Sequence, residues 1–184
     1  MDREYHCQWP DQQPHQQQVQ HLMTTTTGTD SHPTASTIMH PHPKVLHPTD
    51  KMSKGVRYIM KYRYRRLPVV DDEGRFMGVF GVNCLLRLVL PRAVVMDKGL
   101  DSVPFVRDSL ADLHRRLQAV EDEPVSLCMR DEMVRVSPDT PLLETLLMLH
   151  KTRASLPVVD PDSGKLVGVI SYFDVGEKIL AAGD

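Results

Sequence analysis

The chain has 184 residues and a formal charge of −2, enough for one or two small domains with a real core. This near-neutral balance leaves no overall basic footprint for nucleic acid, and no apolar run reaches the ~20 residues that span a bilayer. Cys7, Cys84 and Cys128 stand far apart without CxxC or CxxH spacing, which suggests neither a zinc site nor a disulfide framework and makes a reduced, cytoplasmic setting the expectation.

Residues 1 to about 35 are rich in Gln, Thr and His and have almost no apolar periodicity. They cannot bury enough surface to offset their ordering entropy and read as a disordered tail. The N-terminus lacks the apolar centre of a signal peptide, and Met23 could itself be the natural start. His40, His42 and His47 follow in "MHPHPKVLHP". Clustered histidines can hold metal, but the intervening prolines break regular geometry and no thiol or carboxylate joins them. A loop leading into a strand is the better reading.

A helix is expected from about Asp50 to Tyr64, weakened by Gly55, with Val56, Ile59 and Met60 facing the core. The segment "RRLPVVDDEGRFMGVFGVNCLL" (65–86) then reads as a hairpin followed by a helix. Within the connection 91–124, Leu110, Leu113, Leu117 and Val120 make an amphipathic helix capped by Ser109.

The pattern then recurs. "MVRVS" (133–137) reads as a strand, and Thr140-Pro141 as an N-cap with proline in the first turn. Leu142, Leu143, Leu146, Leu147 and His150 give a buried helical stripe. "LPVVD" and "KLVGVIS" form a hairpin across an Asp-Pro-Asp-Ser-Gly turn. Ser171 opens a last helix whose Phe173, Val175, Ile179 and Leu180 supply apolar contacts. Gly74, Gly78 and Val79 recur ninety positions later as Gly164, Gly168 and Val169, and Pro48 as Pro138, with one residue of slippage before the second LPVV. Such a repeat means two similar units that pack on each other. The fold class is α+β, two βαββα units: residues 36–90 and 125–182, joined by a helical linker, 91–124.

Two such units with LPVVD, a glycine turn and a closing G-h-h-S-x-x-D resemble the tandem CBS (cystathionine β-synthase) domain pair, or Bateman module, over residues 37–182. The second unit is similar to the repeats of the gamma subunit of AMP-activated protein kinase. The resemblance implies a pseudo-twofold pair with clefts between the units, where adenosine-containing ligands sit. It also implies a regulatory module rather than an enzyme, one that forms a homodimer and passes its state to a separate effector protein. The expected ligand is AMP, ADP or ATP, or S-adenosylmethionine, with no required cofactor, metal, nucleic acid or membrane insertion. Two rival readings are an interaction scaffold without a ligand and an accessory regulator of an ion transporter.

The segment Ser171-Tyr172-Phe173-Asp174 is the sharpest lead. An ionised Asp174 can accept both hydroxyls of a ribose, and Ser171 stands at a helix N-terminus that favours phosphate. Ser-x-x-Asp is equally a capping arrangement, and Ser109-Leu-Ala-Asp112 repeats it in the linker; the two roles can coexist. By the resemblance, adenine lies against Leu127, Glu132, Ala154 and Ser155, for which core and loop packing is the plain alternative. Arg65 and Arg66 match the place of phosphate ligands, although a solvated helix end accounts for "KYRYRR" equally well. The first unit has Gly81 and Cys84 where the second has Ser171 and Asp174, so its own cleft is doubtful and one competent site per chain is expected. A redox role for Cys84 is conceivable, with a small apolar residue on a helix as the favoured reading.

Overall fold

A computed structural model of the protein describes residues 32–91, 108–131 and 133–183. Each half is built on one antiparallel hairpin. In the first half, β2 (Arg66–Val70) pairs with β3 (Phe76–Gly81); in the second, β4 (Leu156–Val159) pairs with β5 (Leu166–Ile170). Both hairpins turn on an aspartate that accepts amide hydrogens of the turn, Asp71 and Asp160. Both have a glycine at positive φ just before the return strand, Gly74 (φ 81°) and Gly164 (φ 70°), a conformation that costs other residues about 1–2 kcal/mol.

Helix α2 (Met52–Tyr62) precedes the first hairpin and α3 (Val82–Val89) follows it. Helix α4 (Leu110–Gln118) lies in the linker; α5 (Leu142–Thr152) and α6 (Tyr172–Ala181) frame the second hairpin. Ser109 caps α4 through a reciprocal box with Asp112, as the sequence predicts. The expected strand 133–137 is reduced to a single bridge at Val136, which runs parallel to Val158 as Leu46 does to Val69.

What the sequence does not announce is that the leading segment of each half crosses to the other. Helix α1 (Ala35–Ile38) and β1 (His40–Pro41) precede the first half, yet β1 pairs with β5. Ala35 and Ile38 are buried in the second core, with Val136, Leu149, Leu156, Val158 and Ile170. Conversely, a 3-10 turn (Val125–Leu127) precedes the second half, but Val125 and Cys128 are buried in the first core, with Leu46, Ile59, Leu67, Val69 and Phe80. Arg130 then bridges to Val79 of β3. The exchange is reciprocal and ninety residues apart. The Ala35 amide donates to the Thr140 carbonyl and the Val125 amide to the Asp50 carbonyl, each at 2.8 Å. Gly78 permits the crossing, because a Cβ there would stand 2.3 Å from the Arg130 carbonyl oxygen.

Two helical stripes differ from expectation. On α5 the buried residues are Thr145 and Leu149, while Leu143 and Leu147 are exposed and so is His150. Thr145, whose hydroxyl donates to the Pro141 carbonyl at 3.1 Å, is polar in type but buried in fact, and so hides the true face. The Thr140 hydroxyl accepts from the Ser137 amide instead of a helix amide. On α6, Val175 packs on the core, whereas Phe173, Ile179 and Leu180 are exposed. In the first half, Met60 is likewise exposed beside buried Ile59. Among the described residues, no helix is long and apolar enough to cross a membrane.

Candidate functional site

A cavity of about 620 Å³ opens between the halves, within the size range of small-molecule sites. Its walls are the helix starts that follow the two hairpins and the segments that lead into β2 and β4. Of the sequence-predicted residues, Arg65, Arg66, Ala154, Ser155, Ser171, Tyr172, Phe173 and Asp174 all border it. Leu127 does not: it is 68% exposed on the 3-10 turn, whose neighbours Val125 and Cys128 are drawn into the first core. Glu132 lies outside the described residues.

Ser171 and Asp174 form the capping box that opens α6. Asp174 Oδ2 accepts from the Ser171 amide at 2.6 Å and from its hydroxyl at 2.5 Å. Oδ1 has no hydrogen-bond partner among the described residues. The cap therefore occupies one carboxylate oxygen and leaves the other for a ligand. The Tyr172 hydroxyl is committed elsewhere, donating to the Leu149 carbonyl at 2.9 Å, and so braces α6 against the end of α5.

The walls are strongly cationic. Lys44, Arg63, Arg65, Arg66, Arg130 and Arg153 face two carboxylates, Asp174 and Glu177. None of these six cations forms an ion pair with a carboxylate among the described residues. Burial, and then the cations Arg130 and Arg65 beside it, push the Arg66 guanidinium below its usual range. Its head group donates to the Met133 sulfur at 3.6 Å, a weak acceptor that neutralises nothing. Arg66 is half-buried and the other five are exposed to solvent; like charges gathered in this way favour an anion among them.

Sequence reasoning missed Arg63, Arg130, Arg153 and Lys44. A signal for two of them was present: Arg63 and Arg153 are ninety residues apart, the repeat distance. Each caps its helix in the left-handed conformation, at φ 57° and 51°. Glycine would hold that backbone more cheaply by about 1–2 kcal/mol. Arg130 was beyond reach because it enters through the crossing segment.

The first half departs from the second through one inserted residue. Its helix-to-strand connection is longer by one, and the extra residue adds a rung, Arg66 opposite Gly81, to the β2–β3 ladder. The β4–β5 ladder begins at Leu156 opposite Ile170 and leaves Ser155 and Ser171 unpaired. Closure of that rung brings the Arg65 carbonyl to 2.7 Å from any Cβ on residue 81. Glycine is therefore required where the second half carries a capping serine, and the serine hydroxyl is lost with it.

No curated protein matches the chain in sequence. Solved structures share the fold: protein AcuB of Vibrio cholerae (TM-score 0.62, 19% identity, covering 82% of this chain and 93% of that one) and CBSX2 of Arabidopsis thaliana (0.62, 21%, 82% and 96%). CBSX2 has also been solved in complex with AMP (0.60, 23%, 82% and 98%). The CBS domain pair of protein MJ0100, solved with 5′-methylthioadenosine and S-adenosyl-L-methionine, is a further match (0.54, 15%, 83% and 99%). The CBS domain model matches residues 35–91 and 120–180, each span beginning with the segment that crosses to the opposite half. Two interlocked βαββα units around a shared cavity, matched twice over most of the described chain, make this protein a member of the CBS domain family.

Proposed function

We propose that the chain is a regulatory CBS pair that binds an adenine nucleotide in this cavity, with ATP and ADP preferred over AMP. The observation that carries the reading is the set of six cations facing two carboxylates. Phosphate oxygens are the natural complement of arginine forks. The sulfonium of S-adenosylmethionine adds a positive charge to walls that already carry an excess, so it is the weaker candidate. In this reading Asp174 Oδ1 accepts the ribose hydroxyls. Ala154 and Ser155 line the adenine slot, and Arg65 and Arg66 meet the phosphates. The AMP complex of CBSX2 supports the ligand class.

Titration calorimetry with ATP, AMP and S-adenosylmethionine tests the reading, with affinity expected to fall in that order. Asp174→Ala should weaken ATP at least about tenfold, the worth of one charge-assisted contact, and cost about 1 kcal/mol of stability through the cap. If the melting temperature falls and affinity does not, Asp174 is a cap alone. Silence with every adenosyl compound leaves the scaffold reading, which the closed rung at Gly81 and the occupied Oδ2 favour.

We further propose that the protein acts as a homodimer and signals to a separate effector polypeptide. The exposed apolar side chains of α5 and α6 support the first part.

A further inference from the structure

Residues 51–66 hold seven cations, three tyrosines and no carboxylate. The overall charge of −2, from which no nucleic-acid partner was expected, conceals this local excess. The segment is α2 and its connection to β2. Lys51 and Lys54 are paired with Asp122 and Asp50, each at 2.7 Å. Arg57, Lys61, Arg63, Arg65 and Arg66 have no ion pair among the described residues, and all but Arg66 are exposed. The tyrosines form a row among them. Tyr58 meets Tyr62 edge-on, with 5.8 Å between ring centroids, and Tyr62 stacks on Tyr64 at 5.7 Å with 28° between the planes. Lys61 Nζ lies over the Tyr62 ring, 5.3 Å from its centroid. Tyr62 and Tyr64 are each 38% exposed, and Tyr64 makes no other ring contact among the described residues.

The repeat shows that the fold does not require this strip. Helix α5 ends in the same left-handed turn, at Arg153 as α2 does at Arg63. At the corresponding places, however, it carries Leu147 for Arg57, Thr152 for Tyr62, and Ala154 and Ser155 for Arg65 and Arg66, with no counterpart of the inserted Tyr64. A row of rings set among unneutralised cations offers faces to bases and donors to phosphates. We propose that α2 and its connection to β2 bind single-stranded nucleic acid. A base stacks on the open face of Tyr64, and the phosphates lie along Arg57, Lys61, Arg63 and Arg65. An acidic peptide would use the cations and leave the rings without a role. A bilayer surface needs an apolar helix face, and α2 turns Met52, Gly55 and Ile59 into the core. A duplex keeps its base faces stacked inside and has none to give Tyr64.

The test is fluorescence anisotropy with the full chain and a labelled oligouridylate of about 12 nucleotides, a length one such surface covers. Oligothymidylate of the same length, the oligouridylate–oligoadenylate duplex and inorganic polyphosphate serve as competitors. Both single strands should bind, and a preference between them identifies the sugar. Duplex and polyphosphate should compete weakly. Log Kd should rise with log salt at a slope of about 3, as expected for four or five phosphate contacts on a single strand. Arg57→Gln combined with Lys61→Gln should lower that slope by about 1. Tyr64→Ala should weaken binding about tenfold and Tyr64→Phe should not. These side chains are on the surface, so the melting temperature should hold in every variant. No binding at low salt overturns the proposal. So does a Tyr64→Ala variant that binds as well as the parent, or polyphosphate or duplex competing as well as the single strand, either of which reduces the strip to a polyanion surface. Arg63, Arg65 and Arg66 also border the cavity, so ATP is titrated separately. A strand that binds where ATP does not leaves this site standing without the nucleotide reading, and the reverse result overturns this site alone.

Discussion

Gly55 and Gly176 each sit inside a helix, where alanine is worth about 0.5–1 kcal/mol more than glycine. At Gly55 an added Cβ would stand 2.7 Å from Phe80 Cε1, and Phe80 is fully buried with no room to retreat. At Gly176 nothing lies within 4 Å. Urea denaturation should therefore show Gly55→Ala destabilising by about 1–3 kcal/mol and Gly176→Ala stabilising by about 0.5–1 kcal/mol; equal signs would refute the packing account. From sequence, Gly55 looks like a weak point of its helix. It is instead the slot for the Phe80 ring, and a single residue cannot announce the partner it makes room for. Asp174 was readable as the partner of Ser171 in the cap because the spacing of the two announces it. The free Oδ1 was not, since only the hydrogen-bond geometry separates the two oxygens.

At the level of elements, the hairpins and the Ser109 and Ser171 caps were legible because their signals are local: turn residues and a serine three places before a carboxylate. The helix faces were less so. Leu142 through Leu149 present leucines on two sides of α5, and the buried edge is marked by Thr145, a residue type that does not advertise burial. The surplus face, with Leu143 at 80% exposure, remains open, as does the α6 face bearing Ile179 and Leu180. If a second copy covers these faces, Leu147→Glu combined with Ile179→Glu should convert a dimer into a monomer in light scattering at micromolar concentration. Because both positions are exposed in the single chain, the variant should still fold. An unchanged mass would place the dimer contact elsewhere or remove it.

For the molecule as a whole, the repeat revealed two look-alike halves but not their exchange of leading segments. Pattern reading assigns each segment to the unit that follows it, whereas α1 and β1 complete the second core and the 3-10 turn and Arg130 complete the first. Neither half is complete alone. A chain starting at His42 should lose cooperative unfolding in its second half, seen as a broadened transition with dye binding at temperatures where the intact protein is native; an unchanged sharp melt would show the exchange to be dispensable. The site was legible where it follows the repeat and illegible where it depends on the crossing. That crossing has a further consequence. His40 and Arg130 are the tips of the two exchanged segments, and both touch the same cavity. An occupant gripping both would act as a clasp on the seam, so its arrival should register as slowed amide-hydrogen exchange at Val79 and Val169, on strands that belong to opposite halves.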